Sequence, residues 1–198
     1  MQRLDKQINF IVEIEKLKTI KRQNFTLDSQ RQENNAEHSW HLSIMAMVLL
    51  EQYTSVQLNQ LKIIKMLLIH DLGEIYDGDT FLYDDSRVIA REKEEIALKQ
   101  LLSNLPNDQA KEFFELWIEF EQGETEEARF AQSIDALQPL LNHFITAPEN
   151  YNPYDLKVQE VLRKKEVIKR NTPKLWTIAE DVIRKSVHKG LYNGTEHL

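Results

Sequence analysis

The chain has 198 residues, 41% of them apolar, and a formal charge of −7, which describes a domain-sized globule with enough apolar side chains to bury a core. The acidic balance argues against a nucleic-acid polymer as partner, because such partners are held by basic stripes that displace counterions. With no cysteine there are no disulfides or thiolate metal sites and a cytoplasmic setting is expected. No secretory h-region and no run of about 18 apolar residues is visible, so no membrane span is expected.

Five glycines and five prolines among abundant Leu, Ile, Glu, Lys and Gln favour an all-α architecture, a compact multi-helix bundle read as one domain over residues 1–198. Leu4, Ile8, Ile11, Ile14 and Leu17 fall three or four apart, predicting an amphipathic helix over 4–19. The stretch "RQNFTLDSQRQENN" reads as a polar connection. From Ala36 to about Gln52 the chain is apolar on nearly every side, through Trp40, Leu42, Ile44, Met45, Met47, Val48, Leu49 and Leu50, which predicts a helix in the middle of the fold. Residues 57–71 repeat helical spacing through Leu58, Leu61, Ile64, Leu67 and Leu68, and Gly73 to about Asp85 reads as an acidic, glycine-bearing loop.

Further helices are expected over 86–102 and 107–121, the second presenting Phe113, Phe114, Trp117 and Phe120. Gly123 breaks the chain, and Thr125 caps a helix reaching Phe144. Pro139 should bend that helix, since its ring removes the backbone bond to the carbonyl of Asp135. Two last helices, about 154–170 and 174–188, precede a polar tail.

His38 opens the second segment, His70 and Asp71 end the third, and Asp135 sits on an otherwise apolar helix. Singly, such residues are ordinarily hydrogen-bonded core histidines or solvated carboxylates. Together they suit a metal: buried carboxylates cost several kcal/mol per ion without a counter-charge, and a cation supplies it. Two imidazoles and two carboxylates suit Mn, Co, Fe(II) or Zn, with positions left for water or substrate.

An H…HD…D series on successive helices of an all-α domain resembles the HD-domain metal-dependent phosphohydrolases. The stretches "NNAEHSWHL", "LLIHDLGEIYDGDT" and "SIDALQP" are similar to the branch containing 5′-deoxynucleotidases. This resemblance spans roughly residues 4–145, and it puts the metal-site core at about 20–145. It implies His38, His70, Asp71 and Asp135 as metal ligands, with Glu74 and Asp79 at the catalytic positions. Glu74 would move a proton, Asp79 would accept a hydrogen bond from the sugar, and Arg22, placed at the end of the first helix, would hold the substrate phosphate. A small nucleotide substrate and a homodimer are implied, the apolar positions Leu175, Trp176, Ile178 and Val182 serving either a core or an interface.

Rival branches fit less well. Cyclic dinucleotide phosphodiesterases usually carry a lysine where Glu74 stands, and alarmone hydrolases an aspartate where Ile75 stands. Triphosphate-cleaving members are generally larger and more basic. Deoxynucleotidases often have an aromatic residue after the phosphate-binding arginine, where this chain has Gln23, which opens the question of deoxy against ribo selectivity. Two alternatives stay open: another small phosphorylated nucleotide as substrate, or a structural metal in an interaction protein using the exposed "REKEEIALKQ" helix. His41 reads as a core residue or a neighbour of the site, and His143, His188 and His197 as structural.

Overall fold

Helix α7 (Glu126–Thr146) is the element against which the others are arranged. It meets α2 (Asn35–Leu49), α3 (Gln60–Ile69), α6 (Asn107–Gln122), α8 (Val158–Asn171), α9 (Pro173–His188) and the strand β1 (Lys21–Phe25). The structure is a computed structural model that describes residues 2–28, 31–53, 56–78 and 87–194. Local chemistry explains where α7 begins. Gly123 ends α6 in the left-handed region at φ 63°, and Thr125 Oγ1 then accepts the Ala128 N–H at 3.3 Å. Glu126 and Glu127 in the first turn suit the positive end of the helix dipole. Phe130, Ile134, Leu137 and Leu140 are almost wholly buried along it, each burial contributing roughly 1.5–3 kcal/mol. Helical geometry continues through Pro139, whose carbonyl accepts the Asn24 side-chain N–H at 3.2 Å.

The N-terminal third departs from its sequence reading. The helix expected over 4–19 stops earlier: α1 (Arg3–Glu13) passes into a 3-10 turn (Ile14–Thr19). Phe10 and Leu17 are buried, whereas Leu4, Ile8 and Ile11 of the expected stripe face outward. The polar connection is a hairpin. β1 pairs antiparallel with β2 (Gln32–Asn34), Lys21 opposite Asn34 and Phe25 opposite Gln32, and the Thr26 N–H reaches the Arg31 carbonyl at 2.9 Å. Its polar strands show no apolar alternation because β1 packs against α7 rather than across a second sheet.

α2 starts on a capping box, Asn34 and Glu37 exchanging backbone-to-side-chain bonds of 3.0 and 3.1 Å. It is not central on all sides. Asn35, His38, Ser39, Leu42, Ser43 and Ala46 are buried, while Trp40, Ile44, Met47 and Val48 are 42–64% exposed. In α3 the buried residues are Ile63, Met66, Leu67 and Ile69, and Leu61 and Leu68 point out. Part of the expected loop after Gly73 is a one-turn helix, α4 (Glu74–Asp77), and α5 (Arg87–Leu102) follows. The backbones of α4 and α5 approach closely at Gly73, where a Cβ would lie 2.6 Å from Glu94 Cγ and 2.8 Å from the Glu94 carbonyl oxygen. At the C-terminal end Leu175, Trp176 and Val182 belong to the core and Ile178 is exposed. No helix among the described residues is long and apolar enough to cross a membrane.

Candidate metal centre and its cleft

Three separate parts of the chain deliver side chains to one point. His38 comes from the first turn of α2, His70 and Asp71 from the end of α3, and Asp135 from the middle of α7. His38 Nε2 lies 3.0 Å from Asp135 Oδ1 and 3.9 Å from Asp71 Oδ2. His70 Nε2 lies 3.1 Å from Asp71 Oδ1 and 3.5 Å from Asp135 Oδ1. The four residues expected to share a cation are therefore brought together.

The inner nitrogens of both imidazoles are occupied elsewhere. His70 Nδ1 donates to the Leu67 carbonyl at 3.0 Å, and His38 Nδ1 donates to Gln138 Oε1 at 3.0 Å. Each ring thus turns its Nε2 toward carboxylate oxygens, an arrangement that repels unless a proton or a metal ion lies between. His70 Nε2 is buried and makes no hydrogen bond of acceptable geometry. Ligands about 2.1 Å from one ion stand about 3.0–3.4 Å apart, which the observed separations bracket. The donor set fits a divalent transition metal.

The electrostatics agree. Burial lowers the affinity of His70 for a proton, but the Asp71 and Asp135 carboxylates outweigh it and push its pKa up to about 9. His38 moves the opposite way, lowered by burial and by the Arg22 charge against the pull of Asp135 and Asp71. Burial would raise Asp135, yet the His38 and His70 rings beside it hold it well below the usual carboxylate range. The cluster attracts positive charge, and a metal competes with protons for it.

Arg22 sits on β1 rather than at the end of a helix. Its Nη1 donates to Asp71 Oδ2 at 2.9 Å and to Asn35 Oδ1 at 3.2 Å, and the ion pair is largely buried. Asn35 also donates to Glu74 Oε2, so one buried amide ties the guanidinium to the expected proton carrier. Asp71, Glu74 and Glu94 offer carboxylate oxygens within 4.8 Å of one another. Asp79 lies outside the described residues.

These groups open onto a cleft of about 1000 Å³ lined by Arg22, Asp71, Glu74, Asp135, Tyr154 and Lys165 among others. Lys165 on α8 is buried. Tyr154 donates its hydroxyl to Gln23 Oε1 at 2.8 Å, so an aromatic ring from the loop before α8 stands beside the place where an aromatic residue was missed in the sequence. His143 bonds the Tyr192 hydroxyl at 3.2 Å and also lines the cleft. His188 bonds the Arg184 carbonyl at 2.9 Å, in keeping with a structural role, and His197 lies outside the described residues.

Reading the sequence missed Glu33, Asn35, Glu94 and Gln138. Asn35 and Gln138 stand inside the quoted stretches "NNAEHSWHL" and "SIDALQP", next to expected ligands on the same helices, which was the available signal. Glu94 had none, since the approach of α5 to α4 is a tertiary fact.

Residues 14–176 match the model of the HD domain. The human 5′-deoxynucleotidase HDDC2 is 33% identical over 113 residues, 57% of this chain and 53% of that protein, so the chain spans about half the length of the first curated relatives it matches. The Dictyostelium discoideum protein of the same name is 31% identical over 137 residues, 65% of this chain and 71% of its own. Among solved structures, one titled as a predicted metal-dependent phosphohydrolase from Magnetospirillum magnetotacticum MS-1 is 40% identical, superposes with a TM-score of 0.89, and covers 97% of this chain and 96% of its own.

Proposed function

This chain belongs to the HD domain family, and from that premise we propose that it is a metal-dependent phosphohydrolase removing the 5′-phosphate from (deoxy)nucleoside monophosphates. The observation that carries the reading is the buried Nε2 of His70, close to the Asp71 and Asp135 carboxylates but hydrogen-bonded to neither, with His38 Nε2 beside them. A set of imidazole and carboxylate donors that a metal can claim in place of a proton, opening on a cleft, suits an ion that must also meet a substrate. The names of the relatives point to the same chemistry.

In this reading His38, His70, Asp71 and Asp135 hold Mn, Co, Fe(II) or Zn. When bound, such an ion supplies a Lewis acid for the phosphoryl oxygens and makes water acidic enough to attack at neutral pH. The remaining work belongs to the chain. Arg22, already aimed at the site by Asp71 and Asn35, presents its guanidinium to the phosphate. Glu74 accepts a proton from the attacking water or returns one to the leaving 5′-oxygen, with Asn35 fixing which carboxylate oxygen faces inward. Asp79 is assigned to the sugar, and the cleft beyond accepts the base.

The protein is proposed to act in the cytoplasm, and as a homodimer. Support for the dimer is the stripe Trp40, Ile44, Met47 and Val48 on α2, spaced as one helical face and left exposed. A second copy would bury it.

The test is release of inorganic phosphate from a panel of deoxy- and ribonucleoside 5′-monophosphates with Mn or Co added. Turnover of at least one is expected, and none with either metal would refute the activity. Glu74→Ala should keep its metal and lose about 10²–10⁴-fold in kcat, the usual contribution of a proton-transfer group. Wild-type turnover by that variant would remove Glu74 from the mechanism.

A further inference from the structure

Gln138 is wholly buried one helical turn from Asp135, and nothing in the proposed mechanism uses it. Its amide oxygen accepts from His38 Nδ1 at 3.0 Å. Its amide nitrogen faces Glu33 Oε1 at 2.9 Å and His41 Nδ1 at 3.3 Å. Glu33 is buried too. Burial raises the Glu33 pKa against the pull of the Arg22 charge; in its ionised form the carboxylate can only accept, and it then dictates the orientation of the amide, the nitrogen facing Glu33 and the oxygen facing the imidazole. An oxygen facing Nδ1 requires the His38 proton to be on Nδ1. That leaves Nε2 as a bare lone pair 3.0 Å from Asp135 Oδ1.

We infer that Glu33 and Gln138 form a relay that sets the His38 tautomer and so prepares its Nε2 to ligate the metal; both are positioning residues that never touch the ion. The inference rests on the ligand assignment above. It also explains a contrast within the site. His70 is oriented by a backbone carbonyl, which no substitution removes, whereas His38 depends on two side chains and is open to mutation. Glu33 lies on the Nδ1 side of the ring, its Oε2 3.9 Å from that nitrogen, away from the point where the four ligands meet. With Glu33 truncated, the amide is free to turn its N–H toward His38, favouring the tautomer that carries the proton on Nε2 and cannot bind metal.

Two measurements on the full chain decide the matter: Co²⁺ affinity by chelator competition, and the imidazole tautomer of His38 by ¹⁵N NMR of the metal-free protein. Glu33→Ala should weaken Co²⁺ binding about 10–100-fold, as loss of an orienting partner typically does, and should populate the Nε2–H form. Glu33→Gln, which keeps an oxygen for the Gln138 amide, should restore most of the affinity. Gln138→Leu should resemble Glu33→Ala; thermal melts of all three identify any variant that is merely unfolded, and the Glu33 pair then decides. The relay is refuted if Glu33→Ala binds Co²⁺ as the wild type does with His38 unchanged, or if wild-type His38 already carries its proton on Nε2. Should the wild type take up no Co²⁺ while Glu33→Ala still switches the tautomer, the relay stands and the ligand assignment fails.

Discussion

α2 and α7 each carry one proposed ligand, yet they treat their apolar residues in opposite ways. α7 buries Phe130, Ile134, Leu137 and Leu140 and takes contacts from most of the molecule. On α2 several of the buried residues are polar, Asn35, His38, Ser39 and Ser43, while Trp40, Ile44, Met47 and Val48 face outward. One helix is held by its own chain's core. The other lines a polar site with one face and offers an apolar face to something outside. Apolar content alone therefore does not locate a helix in the centre of a fold; what its buried face touches does.

Substitutions can break or sharpen this contrast. The largest effect is expected from Asp135→Ala on α7, which removes a carboxylate facing both imidazoles. Metal analysis of the purified variant should find no retained Mn or Co, and stoichiometric metal would detach α7 from the centre. Next comes Ile134→Ala, which opens a cavity in the fully buried face and should lower unfolding free energy by about 2–5 kcal/mol in a denaturant titration. The smallest effect on the folded chain belongs to Val48→Ser on α2, a residue 64% exposed. Surface changes of this kind usually fall within about 0.5 kcal/mol, but sedimentation should show more monomer at a given concentration. If Val48→Ser costs as much stability as Ile134→Ala and leaves the mass unchanged, the outward face of α2 is not an interface.

Much of this architecture was legible in the residues. The helices from α5 to α9 lie close to where periodicity and caps put them, because Thr125, Gly123 and Pro173 act locally. His38, His70, Asp71 and Asp135 stand out since acid and imidazole are foreign to apolar helices. The pairing of β1 with β2 was not legible: both strands are polar, and α7 and the cleft give them their place. Glu33 was equally hidden, whereas Gln138 had the one signal of lying beside Asp135 on the same helix. A glutamate in a polar stretch announces nothing until folding sets it 2.9 Å from that amide.

The absence of a side chain at Gly73 has an evolutionary corollary. Even a methyl group there would press on the main chain of α5 as well as on the Glu94 stem, so trimming Glu94 would not make room; the two backbones would have to separate. Since Glu74 is the next residue, separation would carry the proposed proton carrier away from Asn35. Sequence drift at this place is therefore tethered to chemistry one residue along the chain, and a homologue with a bulkier residue at the corresponding position should have re-angled the following helix or recruited a different acid.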